Sequence, residues 1–234
     1  MNANARFRAV IFDVDGTMFD TLPSLSAAAN SVLMNAGLSE IRTHHLRSAL
    51  NEGLRPMFRQ AIALQSTYVD PRMAVELESK YLARYMRQWL LTAPLYVRLR
   101  DALSAFDMLG VKLGICTNRD RASTEMLLAH AGILNLFDTI VGMGDAPRPK
   151  PAADPLLLVL ERMGVSAADA LFIGDSSMDA SCARLAQVRF AAHLGGYASQ
   201  PGDLLPNVVS FNGYDQLVAW VLACISPIEE VCHS

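Results

Sequence analysis

The sequence predicts an α/β protein with a parallel-sheet core, helices on both faces of the sheet and an inserted α-helical cap. Three observations carry this expectation. Short apolar runs recur along the chain, and each ends in an acidic or small polar residue. Stretches with helical spacing separate most of these runs, an alternation that yields parallel strands joined by helical crossovers. After the first run, by contrast, about 70 residues carry helical patterns alone.

The first strand is expected at Arg8–Phe12, directly before Asp13. Four helices are expected next, over Leu22–Asn35, Thr43–Asn51, Pro56–Gln65 and Pro71–Leu91. Asp70-Pro71 is a capped start, and Ala74, Leu77, Tyr81 and Tyr85 give the last of these helices an i, i+3, i+4 stripe. Residues 21–91 therefore read as a cap domain, inserted into a core made of residues 1–20 and 92–234. A lid in that position would exclude water from a site at the strand ends. Further strands are expected at Val111–Cys116, Thr139–Val141, Leu171–Ile173, Val188–Ala192 and Val208–Phe211. Helices at Arg121–Ala131 and Asp154–Met163 lie between them. The second of these has Asp154 as N-cap, Pro155 in the first turn and Gly164 as its stop. Leu217–Ile225 is apolar all round and suits either a buried closing helix or a subunit contact.

Composition narrows the function classes. Of 234 residues, 20 are Lys or Arg and 23 Asp or Glu, a net charge of −3 that is too balanced for a nucleic-acid binder relying on a basic face. Hydrophobic residues make up 52% and charged residues 18%, which supplies a core and excludes disorder. Mean hydropathy is +0.23, yet the longest apolar run has nine residues where a bilayer needs about 20. No secretory h-region is visible at the N-terminus. The four cysteines, Cys116, Cys182, Cys224 and Cys232, are scattered with no Cys-x-x-Cys pair. A cytoplasmic chain with reduced thiols is expected.

The chemistry gathers at strand ends, where parallel sheets bind ligands. Asp13-Val14-Asp15-Gly16-Thr17 follows the first strand. Carboxylates two apart on a strand point to opposite faces, but a chain turning at Gly16 lets both approach one centre. Such a pair repels unless a cation or proton is shared, and a hard divalent ion of the Mg²⁺ type resolves the conflict and favours phosphate substrates. Thr117 and Asn118 close the second strand with a hydroxyl and main-chain N–H groups suited to phosphate oxygens. Lys150 is clamped between Pro149 and Pro151, which fixes where its ammonium points. Gly174-Asp175-Ser176-Ser177-Met178-Asp179 follows another apolar strand.

In order and spacing, this set resembles the four motifs of the haloacid dehalogenase superfamily. The helical block resembles the cap of its phosphoglycolate phosphatase-like members, and the likeness covers nearly the whole chain. The resemblance implies a Rossmann-like core and a Mg²⁺-dependent phosphatase acting on a small phosphomonoester. Asp13 would be the nucleophile and form an aspartyl-phosphate. Asp15, a position where the dehalogenases have no aspartate, would be the general acid and base. Thr117, Asn118 and Lys150 would hold the phosphoryl group. Asp13, the Asp15 main-chain carbonyl and Asp175 would hold Mg²⁺, with Asp179 orienting metal-bound water or Lys150. Two departures stand out. Leu185-Ala186-Gln187 replaces an Ala-Gly ending, and Arg119 replaces a common lysine, which reads as a changed rim charge.

Arg55, in the polar turn Asn51-Glu52-Gly53-Leu54-Arg55, is a candidate for a second anionic group on the substrate. Adjacent His44 and His45 point about 100° apart on a helix and make a poor metal pair. Gly195-Gly196-Tyr197 resembles a family loop at the active-site edge. The alternative activity is a sugar-phosphate mutase, β-phosphoglucomutase-like, which uses the same motifs. A non-catalytic phosphorylated module would be expected to lack the helical block or one of the motifs. The expected partner is a small phosphorylated metabolite, with neither nucleic acid nor membrane, and the chain is equally compatible with a monomer or a homodimer.

Overall fold

A computed structural model describes residues 7–198 and 200–225. Six strands form one parallel sheet: β1 (Ala9–Phe12), β2 (Lys112–Asp120), β3 (Thr139–Met143), β4 (Ala170–Gly174), β5 (Arg189–His193) and β6 (Val209–Phe211). Their spatial order is β3-β2-β1-β4-β5-β6. The chain runs outward from β1 through β2 to β3, then returns to β4 on the other flank of β1. Phe12 accordingly pairs with both Ile115 and Ile173. That reversal opens a crevice at the carboxyl end of β1, the position where such sheets bind ligands.

Alternation along the strands builds two apolar layers. Val10 and Phe12 face one layer with Leu103 and Phe106 of α5 (Leu99–Met108) and Leu217 and Val221 of α9 (Tyr214–Ile225). Ile11 and Phe172 face the other, under Leu156 and Val159 of α7 (Asp154–Met163) and Ala183 of α8 (Ser177–Ala186). α9 thus closes the core with one side, while Leu222 on its other side is exposed. Among the described residues no helix is long and apolar enough to cross a membrane. Cys116, Cys182 and Cys224 are free thiols; Cys232 lies outside the described residues.

Between β1 and β2 the chain is helical: α1 (Leu22–Asn35), a 3₁₀ turn (Thr43–Leu46) running into α2 (Arg47–Leu50), α3 (Leu54–Ala63) and α4 (Pro71–Arg84). Asp70 caps α4 as expected, its side chain accepting from the N–H groups of Arg72 and Met73. The helix expected to continue to Leu91 instead changes at Tyr85 into a π-turn (Tyr85–Trp89) and then a 3₁₀ turn. Phe58 of α3 stacks on Tyr81 of α4, ring centroids 4.7 Å apart. Nearby, Glu78 takes Arg55 at 2.5 Å and Arg59 at 2.7 Å.

Two further expectations need correction. β2 does not stop at Cys116 but runs to Asp120, because Leu113 through Arg119 are all buried and the strand stays covered on both faces. Its pairing with β3 shifts register between Cys116 and Asp120. Asp154 is not the N-cap of α7; that position is Ala153, and the Asp154 carboxylate is held by Arg148 at 2.9 Å. Gly164 does end the helix, in the left-handed conformation at φ 64°. In α8, Gln187 takes the same role at φ 58°, where glycine would be unstrained. α6 (Arg121–His130) matches its expected span within a residue.

Two predictions follow from these elements. Gln187→Gly removes a left-handed strain of about 1 kcal/mol, so the variant is expected to need more urea for half-unfolding than the parent; an unchanged or lower midpoint would refute this. Burial raises the Glu78 carboxyl, but hydrogen bonds from Arg59 and Arg55 outweigh it and hold the group below its ordinary value of 4.5. A depressed folded value means stability that is present above about pH 4.5 and lost as the pH falls through it. Glu78→Gln is therefore expected to cost at most about 1 kcal/mol at neutral pH, with the gap to the parent closing below about pH 4, measured by urea melts at each pH.

Candidate active site

The crevice collects side chains from five segments. Asp13 ends β1 with its N–H bonded to the Ile173 carbonyl of β4 at 2.9 Å. Its carboxylate meets Lys150 Nζ at 2.8 Å. Lys150 also donates to Asp179 Oδ1 at 2.6 Å and to the Cys116 carbonyl at 3.1 Å, whereas its contact with Asp13 is an ion pair that leaves Asp13 Oδ1 buried without a hydrogen bond. Asn118 holds the Lys150 backbone from both sides: its Oδ1 accepts from the Lys150 N–H and its Nδ2 donates to the Lys150 carbonyl, each at 3.0 Å. The Asn118 side chain therefore serves the Lys150 segment. Nδ2 also reaches the Asn51 carbonyl at 3.2 Å, tying the helical block to the sheet.

Asp175, at the end of β4, is fully buried. It accepts from Thr17 Oγ1 at 2.8 Å and from the Tyr197 N–H at 2.6 Å. Two glycines make this approach possible. A Cβ on Gly16, which sits at φ 80°, would overlap the Asp175 carboxylate and the Tyr197 ring, and one on Gly196 would overlap Asp175 and the Gly16 carbonyl. The Gly195-Gly196-Tyr197 loop thus lies against the site. Asp179 is also fully buried, and shares a capping box with Ser176 at the start of α8. His193 Nδ1 donates to the Gly16 carbonyl at 2.8 Å, a partner that can only accept, and burial lowers the basicity of the ring.

The charges do not balance. Asp13, Asp175 and Asp179 each bring a carboxylate oxygen within 4.8 Å of the others, all buried. Three carboxylates against one ammonium leave two negative charges. Burial is the largest influence on Asp13 and, with Asp179, pushes it up to about 7 against the pull of Lys150. Burial, Asp179 and Asp13 push Asp175 well above the carboxylate range. Lys150 stays an ammonium, its burial outweighed by Asp13 and Asp179. A hard divalent cation with oxygen ligands supplies the missing charge, so the donor set fits one.

Asp15 points elsewhere. Its carboxylate takes Arg119 Nε at 3.0 Å on Oδ2, and Arg119 Nη2 and Thr21 Oγ1, each at 2.5 Å, on Oδ1. What Asp15 can offer a cation is thus its main-chain carbonyl. Arg119 is no rim charge: it is 1% exposed, because β2 continues past Thr117 and carries the side chain inward. Thr117 Oγ1 accepts the Arg119 N–H at 3.1 Å, which leaves its hydroxyl proton free to donate. The sequence reading put Tyr197 in a loop at the site's edge but missed Arg119 and Thr21 as site residues. For Arg119 the signal was a charged residue directly after Thr117-Asn118 at the end of an apolar strand.

The space bounded by Asp13, Asp15, Thr117 and Lys150 on the sheet side and by Asn51 and Leu54 of the helical block measures about 10 Å³, close to room for one water. A cavity of about 280 Å³ adjoins it, sharing Gly53, Leu54 and Asn118, with Leu82, Met86 and Met143 on its walls. Arg55 lines this second cavity while paired with Glu78. His44 and His45 stand away from the site as an exposed edge-to-face pair.

A family model of haloacid dehalogenase-like hydrolases matches residues 10–193. A phosphoglycolate phosphatase of Pseudomonas putida is 31% identical over 94% of this chain and 80% of its own. One from Cereibacter sphaeroides is 28% identical over 89% and 94%. Among solved structures, a predicted phosphoglycolate phosphatase from Haemophilus somnus 129pt superposes with a TM-score of 0.87 at 21% identity, covering 94% of this chain and 99% of that one.

The charge imbalance generates a test that does not depend on turnover. Titrating Mg²⁺ is expected to raise the melting temperature of the parent, about 2.7 kcal/mol at a hundredfold excess over Kd, and to leave Asp175→Asn nearly unmoved. Equal shifts in both proteins would mean that these carboxylates are not the cation site.

Proposed function

The chain belongs to the haloacid dehalogenase-like hydrolase family, and on that premise we propose that it is a Mg²⁺-dependent phosphatase hydrolysing a small phosphomonoester of the 2-phosphoglycolate kind. The observation that carries this reading is the pairing of Asp13 with the buried Lys150 ammonium at 2.8 Å, at the end of the central strand. The names of the similar proteins support the same class.

In this reading a carboxylate oxygen of Asp13 attacks phosphorus, the bond to the leaving oxygen breaks, and an aspartyl-phosphate results. Asp15 protonates the leaving oxygen. It then takes a proton from the water that attacks the aspartyl-phosphate, which releases inorganic phosphate and restores Asp13. Lys150, the Thr117 hydroxyl and the Asn118 main chain hold the phosphoryl oxygens, since phosphoryl transfer is mainly positioning and electrostatics. Asp179 keeps Lys150 aimed, with its own second oxygen fixed by Ser176. Mg²⁺ held by Asp13, Asp175 and the Asp15 main-chain carbonyl would neutralise charge on the transferring group.

Residues 21–91 act as the cap and residues 1–20 with 92–234 as the core. A cavity of about 10 Å³ does not admit a phosphate ester, so the cap opens for entry and closes to exclude water. The adjoining larger cavity takes the leaving group, and Arg55 at its wall is the candidate for a second anionic group, released from Glu78 when substrate binds. The enzyme works in the cytoplasm on a soluble metabolite, without nucleic acid or membrane. The mutase alternative is not favoured, because the similar proteins carry phosphatase names.

Phosphate release from a panel including 2-phosphoglycolate and β-glucose 1-phosphate tests the reading. Release is expected with Mg²⁺, absent with EDTA, and lowered roughly 10⁴-fold or more in Asp13→Asn. A fully active Asp13→Asn protein would sink the mechanism. Isomerised sugar phosphate without release would return the mutase.

A further inference from the structure

Arg119 heads the fully buried side chains of the molecule by size, and its contacts join three segments. Nε and Nη2 grip both oxygens of Asp15, on the loop after β1. Nη2 also donates to the Tyr85 hydroxyl at 3.1 Å, and the guanidinium lies 5.5 Å from the centre of that ring. Tyr85 is fully buried and opens the π-turn that ends α4 in the helical block. We propose that Arg119 is a positioning residue for proton transfer: it fixes the plane of the Asp15 carboxylate, and Tyr85 makes that hold depend on the docked position of residues 21–91. The inference rests on the phosphatase reading above, in which Asp15 moves the proton.

The donor count gives the hold its direction. A carboxylate has about four acceptor positions. Arg119 fills two of those on Asp15 and Thr21 a third. The position left is on Oδ2, and the proton given to the leaving oxygen and later taken from water passes there. A guanidinium fork sets the carboxylate plane through two parallel bonds; an ammonium at the same place supplies charge without that constraint.

Stability alone is a poor account of this arginine. Taking a guanidinium out of water is costly, and a buried ion pair is often matched or bettered by apolar side chains of the same volume. Here Arg119 Nη1 is buried with no hydrogen-bond partner, which adds to that cost. The side chain is spent on the orientation of Asp15. Tyr85 sets its tilt through hydroxyl and ring together, the hydroxyl meeting the same Nη2 that binds Asp15. When the helical block lifts, Arg119 loses that second support, so Asp15 is held in its working plane only under the closed cap.

The test compares two esters in a single turnover. An alkyl phosphate, 2-phosphoglycolate or glycerol 3-phosphate, needs a proton on its leaving oxygen, whereas 4-nitrophenyl phosphate releases a stable phenolate without one. In Arg119→Met the first-turnover rate on the alkyl ester is expected to fall about 10²-fold, with KM little changed, while the nitrophenol burst persists. Arg119→Lys is expected to recover only part of the loss, and Tyr85→Phe to show the same selective loss in weaker form. Equal losses on both esters, a change confined to KM, or full rescue by lysine would overturn the proposal. Should the Arg119 variants fail to fold by circular dichroism, Tyr85→Phe decides it: parental rates on both esters refute the link. A parent protein that releases phosphate from neither ester would instead overturn the phosphatase reading itself.

Discussion

The ammonium of Lys150 is the interaction on which the rest of the site depends. It lies inside the protein, donates to Asp179 in the first turn of α8 and to the Cys116 carbonyl within β2, and pairs by charge with Asp13 at the end of β1. A buried lysine ordinarily loses its proton. Here two carboxylates hold it charged, and the arrangement stands only because every partner is itself held. Asp179 is fixed by Ser176 in a capping box, and the Lys150 backbone is fixed by Asn118. Removing Lys150 would leave Asp13 and Asp179 buried without their ion-pair partner, a costly defect in a core.

The parallel sheet makes this concentration of charge affordable in space. Strands β1, β2 and β4 lie side by side and run in parallel, so residues far apart in sequence meet at their carboxyl ends: Thr17 and Asp175 are hydrogen-bonded across 158 positions. Close approach then needs the absence of side chains, which Gly16 and Gly196 provide on either side of Asp175. The helical block adds the other requirement of a buried electrostatic site, a dry cover. Asn51, Leu54 and Tyr85 reach down to Asn118 and Arg119, so the cover is joined to the strand ends by hydrogen bonds as well as by apolar contact.

Much of this was legible in the sequence, and the reasons differ by element. Strand ends followed by Asp13 and Asp175 were readable because an apolar run stopped by a polar residue is a local signal; the same signal put a strand end before Thr117, where β2 in fact runs on to Asp120. Leu22–Asn35 and Asp154–Met163 were readable by periodicity, and Asp70 by its place before Pro71. What escaped notice was nonlocal. The burial of Arg119 depends on β2 running past Thr117 and on Asp15 and Tyr85 arriving from other segments to receive the charge. Asp154 looked like a cap because its own sequence fits one, but Arg148 captures its carboxylate first. Gln187 in a left-handed conformation has no local signature at all; the αL position after a helix usually announces itself by glycine.

The two aspartates of the first motif, separated by one residue, sit in opposite electrostatic settings, and this divides their labour. Asp13 shares its surroundings with Asp179, Asp175 and a single ammonium, so burial and neighbouring charge push it up to about 7. In the proposed phosphatase reading, a cation at that cluster would relieve this and favour the ionised form of Asp13. Asp15 faces a permanent guanidinium through a two-bond fork and answers to no other carboxylate by hydrogen bond or ion pair among the described residues. One carboxylate is thereby tuned by whatever ion the cluster holds, the other by a side chain that cannot lose its charge. Val14, between them in sequence, is buried in the apolar core. In the proposed reaction the nucleophile and the proton carrier, within one short turn, are held by different cations, Asp13 by Lys150 and Asp15 by Arg119.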